Sequence, residues 1–273
     1  MKLRKLFFLL LSVALVGGFA SCSDDDDSDD GKKDVIKLLT EIDISTEEYD
    51  EFSRFEYDSQ NRLVKLTVKD VDKAYDYETS YTTEFTYGND GKLEKVEKKY
   101  LDESGSEDRV FYEQFTYNRD SVFVESGRLY SGVPSSSLPE NDTLILNSKG
   151  SLSKRIIEGS LEAFKYDDND NLIELLYSYK GVETGKSTYE YGKYKSILSN
   201  QNTPMWYWQY AGDYRMYTGK NDCVKSTYEE EYKGELYSST KEWTNIVDED
   251  GYPTGFLRDG KEYNNVFKYK IIE

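Results

Sequence analysis

Phe55-Glu56-Tyr57-Asp58-Ser59-Gln60-Asn61-Arg62-Leu63-Val64-Lys65-Leu66 is the stretch that decides how this chain folds. Phe55 and Tyr57 lie two apart, so an extended strand places them on one face while Glu56 points the other way. Asp58 opens a turn by accepting hydrogen bonds from the backbone ahead of it, and Asn61 tolerates positive φ. Leu63 starts the returning strand. The segment reads as a β-hairpin with a loop of about four or five residues.

The pattern recurs along the chain. Phe85-Thr86-Tyr87-Gly88 leads into Gly91-Lys92-Leu93, and Phe115-Thr116-Tyr117-Asn118 follows with a degenerate turn. Leu144-Ile145-Leu146-Asn147 leads into Gly150-Ser151-Leu152, and Phe164-Lys165-Tyr166-Asp167 into Asn171-Leu172. Tyr189-Glu190-Tyr191-Gly192 is the sixth copy, and Asp248-Glu249-Asp250-Gly251 keeps only the turn. A repeat of one hairpin plus a return connection builds an up-and-down antiparallel meander. The expected fold is all-β, a soluble barrel or strongly curled sheet, since a long meander must close or curl to manage its edges. At roughly 8–12 residues per strand there is room for about 14–16 strands. Outward positions such as Lys95, Glu97 and Lys99 are charged, which is wrong for a lipid-facing band.

Composition agrees with a folded domain. Aromatic residues make up 15%, with 26 Tyr and 12 Phe, whereas a disordered acidic chain is poor in them. The mean hydropathy is −0.78. The formal net charge is −18, and it becomes −21 once Lys2, Arg4 and Lys5 are lost with an N-terminal signal. Phosphate binding needs clustered Lys and Arg, so a nucleic-acid partner is excluded. Histidine is absent, which removes Ser-His-Asp and Cys-His nucleophilic machinery and the commonest zinc ligand. No catalytic residue, metal or cofactor is expected.

The first 34 residues read as an address. Residues 1–21 combine a short basic start with the apolar run Leu6–Val16, too short for a spanning helix and right for a signal peptide. Phe19-Ala20-Ser21-Cys22 resembles the lipobox of bacterial lipoproteins, with Phe19 in place of the usual Leu. The resemblance implies cleavage before Cys22 and lipidation there, hence membrane association through the lipid. Residues 22–34 form the tether. Its acidic run, Asp24 to Asp30, is a solvated spacer and resembles the export signal of surface lipoproteins of the Bacteroidetes. Asp26, Ser28, Asp30 and Gly31 match the start of a calcium loop, but its bidentate Glu would be Lys37, so calcium is rejected. With Cys22 lipidated, Cys223 lacks a disulfide partner and reads as a small buried hydrophobe.

Residues 35–273 form a single repeat-built β domain. Its turn motif resembles the YD repeat of large bacterial shell proteins. With the lipobox and acidic tether, the whole chain resembles a family of Bacteroidetes lipoproteins of unknown function described as having a porin-like fold. That family implies a fold and no activity.

Three further sites stand out. Trp206, Trp208 and Tyr210 alternate in Pro204–Tyr210. As a strand they would share one aromatic face, suited either to stacking on sugar rings or to filling the core. Asp120-Ser121-Val122 and Asp142-Thr143-Leu144 resemble the O-glycosylation tripeptide of exported Bacteroidetes proteins at Ser121 and Thr143, and serve equally as turn chemistry. The carboxylate runs Glu229–Glu231 and Asp248–Asp250 read as solvated strand and turn residues, not a glycosidase pair. The expected function is a non-enzymatic binding module for glycan or protein. It sits at the outer membrane, exposed at the surface or facing the periplasm, and is monomeric. The alternative is a structural or accessory subunit of an envelope complex.

Overall fold

The computed structural model describes residues 35–75, 77–101, 107–130, 132–135, 140–212, 214–232 and 234–272. The signal segment, Cys22 and the acidic run lie outside the described residues. The first strands are β1 (Ile36–Ser45), β2 (Tyr49–Tyr57), β3 (Leu63–Asp72), β4 (Tyr77–Tyr87), β5 (Leu93–Leu101) and β6 (Glu107–Asn118). There follow β7 (Ser121–Tyr130), β8 (Val133–Pro134), β9 (Glu140–Leu146), β10 (Leu152–Ile157), β11 (Ser160–Tyr166) and β12 (Leu172–Tyr179). After β13 (Val182–Lys195) come the helix α1 (Met205–Ala211) and a single 3-10 turn, Arg215–Tyr217. The chain ends with β14 (Asn221–Tyr232), β15 (Glu235–Val247), β16 (Pro253–Arg258), β17 (Lys261–Glu262) and β18 (Asn264–Ile272).

All eighteen strands belong to one sheet, and every pairing is antiparallel between neighbours in the chain, except that β7 skips the two-residue β8 to reach β9. β18 returns to pair with β1. The sheet is thus an up-and-down barrel, as its repeats predict. Setting aside the two-residue β8 and β17, sixteen staves remain, at the upper end of the expected number. One seam has no ladder, that between β16 and β18. There the Asn265 side chain stands in for a strand, accepting from the Phe256 N–H at 2.6 Å and donating to the Phe256 carbonyl at 2.8 Å. A Cβ on Gly255 would lie 2.6 Å from Asn265 Oδ1, so the close approach needs glycine there.

The hairpins repeat one device. Asp58 Oδ1 accepts from the N–H groups of Gln60 and Arg62, and Asn61 adopts φ +59°. Asn147, Asp167 and Asp248 do the same, with positive φ at Gly150, Asp170 and Gly251. The third copy differs because Asn118 pairs directly with Ser121, leaving a two-residue turn with Arg119 at φ +57°. After each longer turn the returning strand carries a bulge: Tyr57 faces Leu63, yet Glu56 faces Lys65. A bulge leaves a carbonyl outside the ladder. The tyrosine of the following repeat supplies the missing donor: Tyr87 to Leu63 at 2.9 Å, Tyr117 to Leu93 at 2.8 Å, Tyr166 to Leu152 at 2.6 Å and Tyr191 to Leu172 at 2.8 Å. Tyr269 closes the series across the seam, onto Pro253 at 2.7 Å. The Asp248 copy, a bare turn in sequence, is therefore a full hairpin with Pro253 in the leucine position. Replacing Tyr166 by Phe strands the buried Leu152 carbonyl. It should cost about 1–3 kcal/mol in urea unfolding, while the exposed Tyr179 changed likewise should cost close to nothing.

The sixth copy has no tight turn. Between Lys195 and Asn221, which pair with each other, the chain leaves the wall and fills the barrel. A barrel of this many staves is too wide for wall side chains to meet across it, and this excursion supplies the missing core. Trp206, Tyr207, Trp208 and Tyr210 are all buried on α1, packed on Phe85 and Phe115 of the wall. The strand reading of Pro204–Tyr210 is thereby corrected, because Pro204 starts a helix and the three alternating aromatics share no sheet face. The plug also satisfies wall amides left bare by bulges. Thr203 Oγ1 accepts from Leu63 N–H and Gln209 Oε1 from Leu152 N–H, both at 2.8 Å. Pro253 has no N–H to satisfy.

The outer wall is polar. Glu41 bridges Arg54 and Lys268, Lys99 pairs with Glu84 and Lys186 with Glu229. Each is worth little in water, but such charges are costly against hydrocarbon. Among the described residues no helix is long and apolar enough to cross a membrane.

Candidate functional site

The plug occupies the end of the barrel that carries the Asp and Asn turns. Beyond it the lumen remains open in two adjoining cavities of about 580 and 670 Å³. Tyr81, Lys98, Tyr100 and Tyr214 line both. The smaller has Tyr207, Trp208 and Tyr210 as its floor and inward residues of β3 to β7, β9 and β10 as its wall. Period-two alternation explains the wall: Val96, Lys98 and Tyr100 face in while Lys95, Glu97 and Lys99 face out.

Three features define its chemistry. An aromatic row runs up one side, Tyr81 to Tyr100 at 5.4 Å and Tyr100 to Phe111 at 5.5 Å between ring centres. Cations lie on it, with Lys98 Nζ 3.7 Å from the Tyr81 ring centre and the Arg128 guanidinium 5.0 Å from that of Phe111. Neither Lys98 nor Arg128 has a carboxylate within ion-pair distance among the described residues. Facing them is a network of fixed charge. Arg155 contacts Asp142 at 2.6 Å and Glu162 at 3.8 Å, and those acids hold its pKa up against burial. Burial raises the Glu113 carboxyl above the usual range, against the Tyr210 hydroxyl that donates to it at 2.9 Å. The Trp208 indole N–H is buried and has no hydrogen-bond partner among the described residues.

The residues singled out from sequence distribute unevenly. Trp208 and Tyr210 reach the cavity floor, while Trp206 lies wholly in the core, 3% exposed against Phe115 and Tyr117. An outward aromatic platform is therefore not formed. Ser121 follows the two-residue turn before β7, whereas Thr143 sits within β9, opposite Phe123 and Ile156. Asp142 is no turn cap, since its carboxylate holds Arg155. Asp248 and Asp250 are structural, each 2.7 Å from Lys37 Nζ, and Glu229 lies on a strand paired with Lys186. Cys223 is buried, and burial pushes its thiol up to about 12. Among the described residues no cluster could hold a metal ion. Sequence reading missed Lys98, Glu113, Arg128 and Arg155. The available signal was charge at inward positions of otherwise apolar faces, as at Val96-Glu97-Lys98.

The fold and lumen together define a helix-plugged β-barrel with a charged exterior. No family model matches the chain, and no curated protein matches it. Among solved structures it is similar to a porin-like protein from Bacteroides uniformis, at 15% identity over 86% of this chain and 97% of that one, TM-score 0.46. It is also similar to a porin-like protein from Bacteroides vulgatus, at 11% identity over 87% of this chain and 99% of that one, TM-score 0.40. The strand pairing, not this likeness, defines the fold.

Proposed function

We propose that this chain is a lipid-anchored outer-membrane protein, held at Cys22 and exposed at the cell surface, whose barrel lumen binds an acidic saccharide without transforming it. The observation that carries the reading is the row Tyr81–Tyr100–Phe111 with Lys98 and Arg128 lying upon it, neither within ion-pair distance of a carboxylate among the described residues. Rings that stack on sugar faces and cations that meet a carboxylate stand together, in a chain whose overall charge repels anions elsewhere. The carboxylates of the same wall are engaged, Asp142 by Arg155 and Glu113 by Tyr210, which supports binding in place of hydrolysis.

Titration with uronic-acid oligosaccharides, followed by tryptophan fluorescence and calorimetry, tests this. Binding is expected, with neutral oligosaccharides weaker. Lys98→Ala or Arg128→Ala should lower affinity about tenfold each, the worth of one charged hydrogen bond. Absence of any heat or fluorescence change at millimolar saccharide of either kind would overturn the proposal. Protease shaving of intact cells tests the address separately: protection of the domain would place it on the periplasmic face.

A further inference from the structure

Strands β14 and β15 rise above their neighbours on one side. Their pairing runs from Lys225–Glu242 up to Tyr232–Glu235, whereas β16 meets β15 only from Trp243 to Val247. Residues 235–241 therefore have a strand on one edge and, among the described residues, none on the other. Asp259 reveals which backbone groups are bare. Its carboxylate accepts from the Glu242 N–H at 2.9 Å, and its N–H donates to the Glu242 carbonyl at 2.8 Å. The backbone groups of Glu242 thus point away from β14. Alternation along a strand points those of Leu236, Ser238 and Thr240 the same way, each offering one N–H and one carbonyl.

We propose that this edge pairs with the same edge of a second copy of the chain, antiparallel, about a two-fold axis through Ser238. The sequence of the edge, Glu235-Leu236-Tyr237-Ser238-Ser239-Thr240-Lys241, is complementary to itself in that register. Glu235 falls opposite the second copy's Lys241, Leu236 opposite Thr240 and Tyr237 opposite Ser239, and the reciprocal contacts follow from the symmetry. Ser238 meets Ser238 as a hydrogen-bonded pair, which the parity set by Asp259 requires. Neither Glu235 nor Lys241 has an ion-pair partner in its own chain among the described residues. Every residue of the edge is exposed, Leu236 at 70% and Tyr237 at 51%. Proteins blunt unwanted edges with proline, bulges, very short strands or charged side chains. The two-residue β8, ending in Pro134, is blunted in that manner. This edge holds no proline, glycine or bulge, and its two charges stand at its ends and are of opposite sign. The net negative charge opposes close approach of two copies, so salt should strengthen the pairing by screening it.

Sedimentation equilibrium on residues 35–273, which contain every strand of the barrel, provides the test. The expected result is a mass that doubles with concentration, more readily at higher salt. Ser238→Pro should hold the chain monomeric. Its lost N–H is one that β14 does not use, so melting temperature and circular dichroism should stay as they were. Glu235→Lys or Lys241→Glu alone should weaken association on the order of tenfold, since the symmetry repeats each like-charge contact. The double reversal should restore it, and that rescue stands even if the proline variant fails to fold. A single monomer mass from micromolar to millimolar concentration overturns the proposal. So does a dimer indifferent to Ser238→Pro and to both single charge reversals.

Discussion

Trp206→Ala is expected to cost the barrel about 3–5 kcal/mol, as removal of a large buried aromatic does. Trp206 is 3% exposed and meets the Phe115 ring at 5.1 Å and the Tyr117 ring at 6.2 Å. Nothing on the wall can move in to fill its place, because the wall is a hydrogen-bonded ring of fixed circumference. Adding Trp208→Ala removes the second ring that Phe85 and Tyr214 pack against. Domains are stable by about 5–15 kcal/mol, so the double variant should have no cooperative urea transition and no near-ultraviolet dichroism. The two effects are coupled through Tyr207, which touches both indoles, and should not add simply. A double variant that unfolds cooperatively at the parent's midpoint, having lost only saccharide binding, would show these indoles to be an exposed platform after all.

Raising the pH above 10 should unfold the protein in one cooperative step. Burial lifts the Tyr87 phenol to about 12 and pushes Tyr57, Tyr117, Tyr191, Tyr210, Tyr217 and Tyr269 higher still. A phenol whose folded pKa exceeds its unfolded value stabilises the fold fully below the unfolded value, about 10. That stabilisation is lost as pH rises from there toward the folded value. Each such tyrosine removes about 1.4 kcal/mol per pH unit in that window. Together they match the whole stability of a domain within roughly one unit. Absorbance of phenolate from the buried set should appear abruptly, together with loss of the β-sheet dichroism. A single smooth wave near pH 10 with the sheet intact would contradict the tyrosine placement.

Much of this was legible in the residues because it is local. An Asp that caps its own turn, and a positive-φ residue three further on, are decided within five positions of chain. So are the two aromatics on one side of a strand. Chain length at roughly 8–12 residues per strand pointed to about 14–16 strands, and eighteen form, two of them only two residues long. The Pro253 copy was legible only as a turn, since its strand positions lack the aromatic and leucine that mark the others. The plug was misread for a related reason: alternation of Trp206, Trp208 and Tyr210 imitates a strand, and the opposing signal is only Pro204 and the unusually long interval from Gly192 to Asn221.

What the sequence determined by itself, then, is the set of hairpins: their turns, their in-and-out alternation and their antiparallel succession, each a short-range matter of backbone preference and side-chain period. What the tertiary structure decided is everything that depends on circumference. Sixteen staves enclose more space than their side chains fill, so one turn had to be replaced by a buried helix. Residues distant in sequence, Lys98, Glu113, Arg128 and Arg155, then came to face one another across the space that helix leaves open. No local rule states how wide a ring will be, and the lumen exists only because of its width.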